Sequence, residues 1–180
     1  MLKKALYLLL IGLFFPFGAL AATDGTLGAT STGTLAISLT INSAIQVSEM
    51  DDLTFSFTPG VDTGPITDNS TFCVYTNNGT GNYATTVTSA NATGTTFRVK
   101  DAGTNFITYT AEWDEDIALA SPTTLQSGVQ LTSITGADQA NTDCLTTDVA
   151  AFRVTFADAA LQAAASGTYT DTVTAIVAPE

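Results

Sequence analysis

From Gly33 onward the chain alternates with period two in short runs, and this constrains its fold more than any other feature. In residues 34–41, Leu35, Ile37, Leu39 and Ile41 fall on one side, and Thr34, Ala36, Ser38 and Thr40 on the other. That spacing puts like side chains on one face of a strand and scatters them around a helix. The pattern recurs at Ile45 and Val47; at Leu53, Phe55 and Phe57; over residues 72–75 and 83–88; and at Phe97 and Val99. It continues at Ile107, Tyr109, Ala111 and Trp113; over 125–131; at Phe152, Val154 and Phe156; and over 168–177. Pro59-Gly60, Gly64-Pro65, Asn77-Asn78-Gly79 and Asn91-Ala92-Thr93-Gly94 punctuate the runs as turns. Only residues 157–165, Ala-rich around Leu161, carry helical propensity, enough for one or two turns. Roughly eight or nine short strands with closely spaced turns predict a single all-β domain, an immunoglobulin-like β-sandwich. A closed barrel is the structural alternative. An outer-membrane barrel is disfavoured, since its strands need about ten residues each and most runs here are shorter.

Residues 1–21 read as an export leader. Lys3 and Lys4 form a basic start, residues 6–17 a Leu/Phe-rich apolar run, and Ala19-Leu20-Ala21 a small-x-small cleavage pattern. An N-terminal membrane anchor is the alternative, but the run is short, Pro16 interrupts it and no basic stop-transfer cluster follows. Cleavage after Ala21 would leave no permanent membrane anchor. It would also leave three basic residues against seventeen acidic ones, deepening the formal charge from −12 to −14.

Composition removes several function classes. The chain has no His, which excludes Ser-His-Asp and Cys-His nucleophile systems and His-based zinc or haem sites. Five Lys plus Arg are too few for a groove that tracks phosphates, so no nucleic acid is expected as a partner. With 45% hydrophobic residues the chain can build a core. Its 34 Thr suit half-exposed pleated surface. Cys73 and Cys144 have neither CxxC nor metal-ligand spacing. In an oxidising compartment they would form one disulfide; two buried free thiols are the alternative.

Candidate chemistry is sparse. Glu112, Asp114, Glu115 and Asp116 around Trp113 are the densest charge. Calcium needs six to eight converging oxygens, whereas these lie at a strand end where alternate side chains diverge, so they read as solvated loop acids. No pair of carboxylates is placed for glycoside hydrolysis. Asn69-Ser70-Thr71, Asn78-Gly79-Thr80 and Asn91-Ala92-Thr93 match the glycosylation sequon, as chance allows in so Thr-rich a chain. Trp113 reads as a core residue. No catalytic, metal-ligating or cofactor-binding residue is assigned, no cofactor is expected, and an enzyme is the least favoured class.

The run at 34–41 has two readings. It is either an ordinary first strand of its own sandwich, or a strand that leaves its domain and completes a neighbour by strand addition. Burying four aliphatic side chains would contribute a gross gain of about 6–12 kcal/mol.

Gly33-Thr34-Leu35-Ala36-Ile37-Ser38-Leu39-Thr40-Ile41, followed by a second short strand, resembles the start of mature spore coat protein U domains, which include subunits of archaic chaperone–usher pili. Phe72-Cys73-Val74-Tyr75 with Gly81-Asn82-Tyr83 is similar to that family's central segment. Leu161-Gln162-Ala163-Ala164, Gly167-Thr168-Tyr169-Thr170-Asp171-Thr172-Val173 and Ala178-Pro179 are similar to its closing segment. The resemblance implies a signal peptide (1–21), a polar lead-in with donor strand (22–41) and a pilin-like sandwich (42–180) lacking its last strand. It implies Leu35, Ile37, Leu39 and Ile41 as donor residues and Ile45, Val47, Val173 and Val177 as lining of the acceptor groove. It implies a structural, adhesive or biofilm role in a surface fibre built by donor-strand complementation. The implied partners are neighbouring copies or related subunits, a periplasmic chaperone and an outer-membrane usher, after export through the periplasm. Many members carry a cysteine near Ala44 and Ile45; this chain has none, which leaves Cys73 and Cys144 as the one possible pair. The alternative function is a self-complete secreted adhesin or a carbohydrate- or calcium-binding module.

Overall fold

The computed structural model describes residues 22–145 and 148–180. The expected leader, 1–21, lies outside the described residues. Backbone contacts divide the chain into two units, 1–41 and 42–180.

In the first unit, Thr23 and Thr34 exchange both backbone hydrogen bonds at 3.0 Å and close the polar lead-in on itself. A Cβ at Gly25 would lie 2.0 Å from Ser31 Oγ, so a larger residue there would push that hydroxyl aside. Beyond this bridge, residues 35–41 do not form the expected strand: no described residue pairs with their backbone. Alternation creates a face, but a strand also needs an edge to bond with.

The described residues of the second unit form β1 (Ile45–Ser48), β2 (Ile66–Thr76), β3 (Tyr83–Ser89), β4 (Arg98–Lys100) and β5 (Phe106–Thr108). They continue with β6 (Thr110–Asp114), β7 (Thr123–Thr124), β8 (Gln130–Ile134), β9 (Ala150–Phe156), α1 (Asp158–Gln162) and β10 (Val173–Pro179). One sheet runs β1-β2-β9-β6-β7 and the other β10-β3-β8, with β4-β5 as a separate hairpin. Every ladder is antiparallel. The sheets keep open ends, so the molecule is a β-sandwich and the barrel alternative falls.

The inner faces meet over a core built from the predicted alternating residues. Phe72 and Val74 come from β2, Tyr83 and Val87 from β3, Ala111 and Trp113 from β6, and Phe152, Val154 and Phe156 from β9; all are buried. Trp113 is 1% exposed, the core position expected for it, and packs edge-on against Phe72 with ring centroids 4.7 Å apart. A row of rings continues from Phe97 to Tyr109 (5.5 Å) and on to Phe156 (5.4 Å). Cys73 and Cys144 form a disulfide with Cα atoms 5.6 Å apart, so the free-thiol alternative is set aside.

Four expected runs are corrected. Residues 107–113 are two strands, because the chain leaves the β4-β5 hairpin for the larger sheet at Tyr109, whose N–H bonds to the Phe97 carbonyl (3.1 Å). Residues 125–131 are not one strand: a turn at Ser127-Gly128 comes first, and β8 begins at Gln130. Gly128 has φ +77°, its N–H bonds to Val87 O, and the Ser127 hydroxyl accepts the Ser89 N–H. Residues 168–172 precede β10 and join no ladder, meeting their neighbours through the isolated bridge of Thr170 with Lys100, the Ala90 N–H donated to Thr172 O (2.9 Å) and side-chain bonds of Asp171. Leu53, Phe55 and Phe57 keep their alternation, each half-buried between exposed neighbours, but join no ladder. The short helix falls inside the expected 157–165 window and seats Leu161 against the core.

Candidate functional site

The two sheets end beside one another. Among the described residues β1 pairs only with β2, from Ile45 opposite Thr76 to Ser48 opposite Cys73. Among them, too, β10 pairs only with β3, from Val173 opposite Ser89 to Pro179 opposite Tyr83. Each therefore has one edge without a ladder partner among the described residues, and β1 and β10 touch across the boundary between the sheets. Asn77 helps hold this corner: its side chain accepts the Ala44 N–H (2.7 Å) and donates to the Asn42 carbonyl (2.9 Å).

All four sequence-predicted lining residues lie on the two strands at this boundary. Ile45 and Val47 on β1, and Val173 and Val177 on β10, pack against the core yet remain half-buried. Ala175 lies between the two valines on the same face and shares that state. Leu53, Phe55 and Phe57 also pack on the core half-buried, with the Phe55 ring 5.1 Å from Phe156. Among the described residues, no backbone group of residues 53–57 finds a hydrogen-bond partner. A segment with apolar side chains turned to the core and free backbone groups is the form of an edge waiting for a strand. Sequence reasoning did not assign Leu53, Phe55, Phe57 and Ala175 to the site. Their period-two placement was the available signal.

The predicted donor residues are open to solvent: Leu35 is 72% exposed, Ile37 88%, Leu39 82% and Ile41 78%. Four large aliphatics on one side of a backbone without ladder bonds are costly to leave in water. Burying each is worth about 1.5–3 kcal/mol.

The acidic run serves the fold locally. Glu112 pairs with Arg153 (Nε to Oε2, 2.7 Å) across the β6-β9 ladder. Asp114, 5% exposed, accepts the N–H groups of Asp116 (3.1 Å) and Ser121 (3.0 Å). Glu115 accepts the Thr135 N–H and Asp116 the Ala118 N–H, each at 2.9 Å. Of the sequons, the Asn91 side chain is held by Thr170 O and Asp171, and Asn78 donates to Asn82 O and Glu180 O. Hollows of about 150 Å³ beside Trp113 and Asp114, and about 280 Å³ beside Phe97 and Tyr109, lie below the roughly 300–1,000 Å³ of ligand clefts. Burial pushes the Tyr83 and Tyr109 hydroxyls far above the ordinary tyrosine range, and for Tyr109 the Asp171 carboxylate at 2.6 Å adds to the shift.

No family model matches this chain, and no curated protein matches it. Among solved structures, the chain is similar to one from "Chaperone-tip adhesin complex is vital for synergistic activation of CFA/I fimbriae biogenesis", with a TM-score of 0.54 and 11% identity. The likeness covers 76% of this chain and 41% of that one, so this chain spans well under half of that neighbour's length. At such identity the likeness concerns the fold alone.

Proposed function

We propose that this chain is a non-enzymatic structural subunit of a bacterial surface fibre, assembled by donor-strand complementation. Residues 34–41 of one copy would lie along the unpaired edges of the next. Leu35, Ile37, Leu39 and Ile41 would face the half-buried side chains of β1, β10 and residues 53–57. The observation that carries this reading is the match between two unsatisfied surfaces in one chain: an exposed alternating aliphatic segment, and an open sandwich edge with apolar side chains and free backbone groups. Strand addition satisfies both, supplying ladder bonds and side-chain burial together. A complex of a fimbrial chaperone and adhesin contains a chain of similar fold, and the ordered resemblance to spore coat protein U domains adds a motif-level argument. An exported leader, a chaperone that covers the edge before assembly and an usher at the outer membrane belong to the same proposal. The Cys73–Cys144 disulfide suits that oxidising route.

The test is electrophoresis of the full chain in SDS with and without boiling. Strand exchange predicts ladders that survive SDS and collapse on heating, and Ile37→Asp should reduce them to monomer. A wild-type chain that never forms ladders, or ladders indifferent to Ile37→Asp, would overturn the reading.

A further inference from the structure

Residues 53–57, whose backbone has no partner among the described residues, are tied down at both ends. At the near end the Ser70 hydroxyl of β2, in a residue 3% exposed, accepts the Asp51 N–H (2.8 Å). At the far end the chain folds into a turn. The Thr58 carbonyl accepts the N–H groups of Val61 (3.1 Å) and Asp62 (2.9 Å), and Asp62 Oδ2 accepts the Thr58 N–H (2.6 Å). Gly60, at φ +78°, takes the left-handed conformation this turn needs.

The short helix α1 grips that turn. Gln162 Oε1 accepts the Gly60 N–H (3.0 Å), and Gln162 Nε2 donates to the Asp62 carbonyl (2.9 Å). Asp158, four residues earlier and hence on the same helix face, accepts the Gly64 N–H (3.1 Å) and a further bond from Gln162 Nε2 (3.3 Å). One primary amide thus meets a backbone donor and a backbone acceptor together, which neither a carboxylate nor an ammonium can do. The partners lie 94 to 102 positions apart, so the clasp is a tertiary fastening and not a local turn. Leu161, buried next to Gln162, seats the helix on the core, whereas the Gln162 side chain itself is exposed.

We infer that Gln162, together with Asp158, is a positioning residue for strand addition: it holds residues 53–57 along the core before the strand of a second copy arrives. The inference rests on the fibre reading above and concerns how its acceptor edge is prepared. An edge ordered in advance has already given up its conformational freedom, so less is lost when residues 34–41 of the partner add their ladder. Without the clasp, 53–57 would be tied at Asp51 alone and kept in place by half-buried Leu53, Phe55 and Phe57. The effect belongs to the association step, because in the joined state the incoming backbone itself holds the edge.

The experiment uses the full-length Ile37→Asp chain, whose own strand is spoiled, and a labelled synthetic peptide of residues 34–41, with rates followed by stopped-flow anisotropy. Gln162→Ala in that chain should slow association about threefold to tenfold, the worth of one or two net hydrogen bonds. The dissociation rate and the urea midpoint of the peptide-free chain should match the parent's, because the substituted side chain is exposed. Asp158→Asn keeps an oxygen to accept the Gly64 N–H and should associate as fast as the parent, whereas Asp158→Ala should be slow. A loss confined to dissociation, or shared with the urea midpoint, would overturn the inference, since Gln162 would then contribute only general stability. A parent that takes up the peptide while Gln162→Ala does so equally fast removes this inference alone. A parent that takes up no peptide removes the fibre reading and this inference with it.

Discussion

Trp113 on β6 donates its indole N–H to the Tyr83 hydroxyl on β3 at 3.1 Å, a buried bond that runs from one sheet to the other. It lets two large aromatic side chains enter the core without an orphaned polar atom. Tyr83→Phe keeps the ring and leaves the indole N–H unpaired. A loss of about 1–3 kcal/mol in unfolding free energy is expected, read from urea melts followed by Trp113 fluorescence. An unchanged midpoint would show that the bond contributes nothing net.

Alkaline pH should destabilise the sandwich. The Tyr83 and Tyr109 hydroxyls are raised well above 10.0 in the folded chain, chiefly by burial, whereas the unfolded chain ionises near that value. Their contribution is therefore complete below about pH 10 and is lost as pH rises toward the folded values. Absorbance titration of tyrosinate should show these two side chains ionising only together with unfolding. Tyr109→Phe should flatten the alkaline loss. Two early-titrating buried tyrosines would contradict the prediction.

Reduction of Cys73–Cys144 opens a loop with a sequence separation of 71. Loop-closure entropy over that span corresponds to about 4 kcal/mol, so a Cys73→Ser, Cys144→Ser chain should unfold about 2 M earlier in urea. Equal midpoints would mean that the reduced ensemble is already constrained.

The proposed acceptor edge makes its own prediction. Ala175→Asp places a carboxylate among Val173, Val177 and the aliphatics of the proposed incoming strand, while β10 keeps its ladder to β3. Uptake of a synthetic peptide of residues 34–41 should fall at least about tenfold, the cost of burying one unpaired charge being several kcal/mol. Ile176→Asp, on the outward face and 63% exposed, should leave uptake unchanged. Equal effects of the two substitutions would remove β10 from the site.

Much of the sandwich was legible because side-chain period and ladder position coincide there. Phe72 to Tyr75 and Phe152 to Phe156 alternate, and each lies in a strand bonded on both sides. The reading failed where alternation and bonding separate. Residues 35–41 and 53–57 have the period of strands without partners among the described residues, because their pattern records a face, and bonding requires a neighbouring backbone. Residues 125–131 failed differently: Leu125 and Leu131 alternate in number, but the positive φ of Gly128 turns the chain between them. At the candidate site, Val173 and Val177 were found from their place in the closing segment. Ala175 was overlooked because its side chain is too small to announce a lining position, and residues 53–57 because an unpaired segment cannot be told from a paired one by its pattern.

The position of the disulfide has a mechanical consequence. Traction applied through β1 and β10 would peel both from their neighbours, but the span from Cys73 to Cys144, which includes β3 to β8, stays closed by a covalent bond. At about 3.4 Å per extended residue, those 71 positions hold back about 240 Å of contour. An oxidised chain under load therefore lengthens by a limited stroke and retains a closed remainder from which it can recoil, whereas a reduced one extends over its whole length.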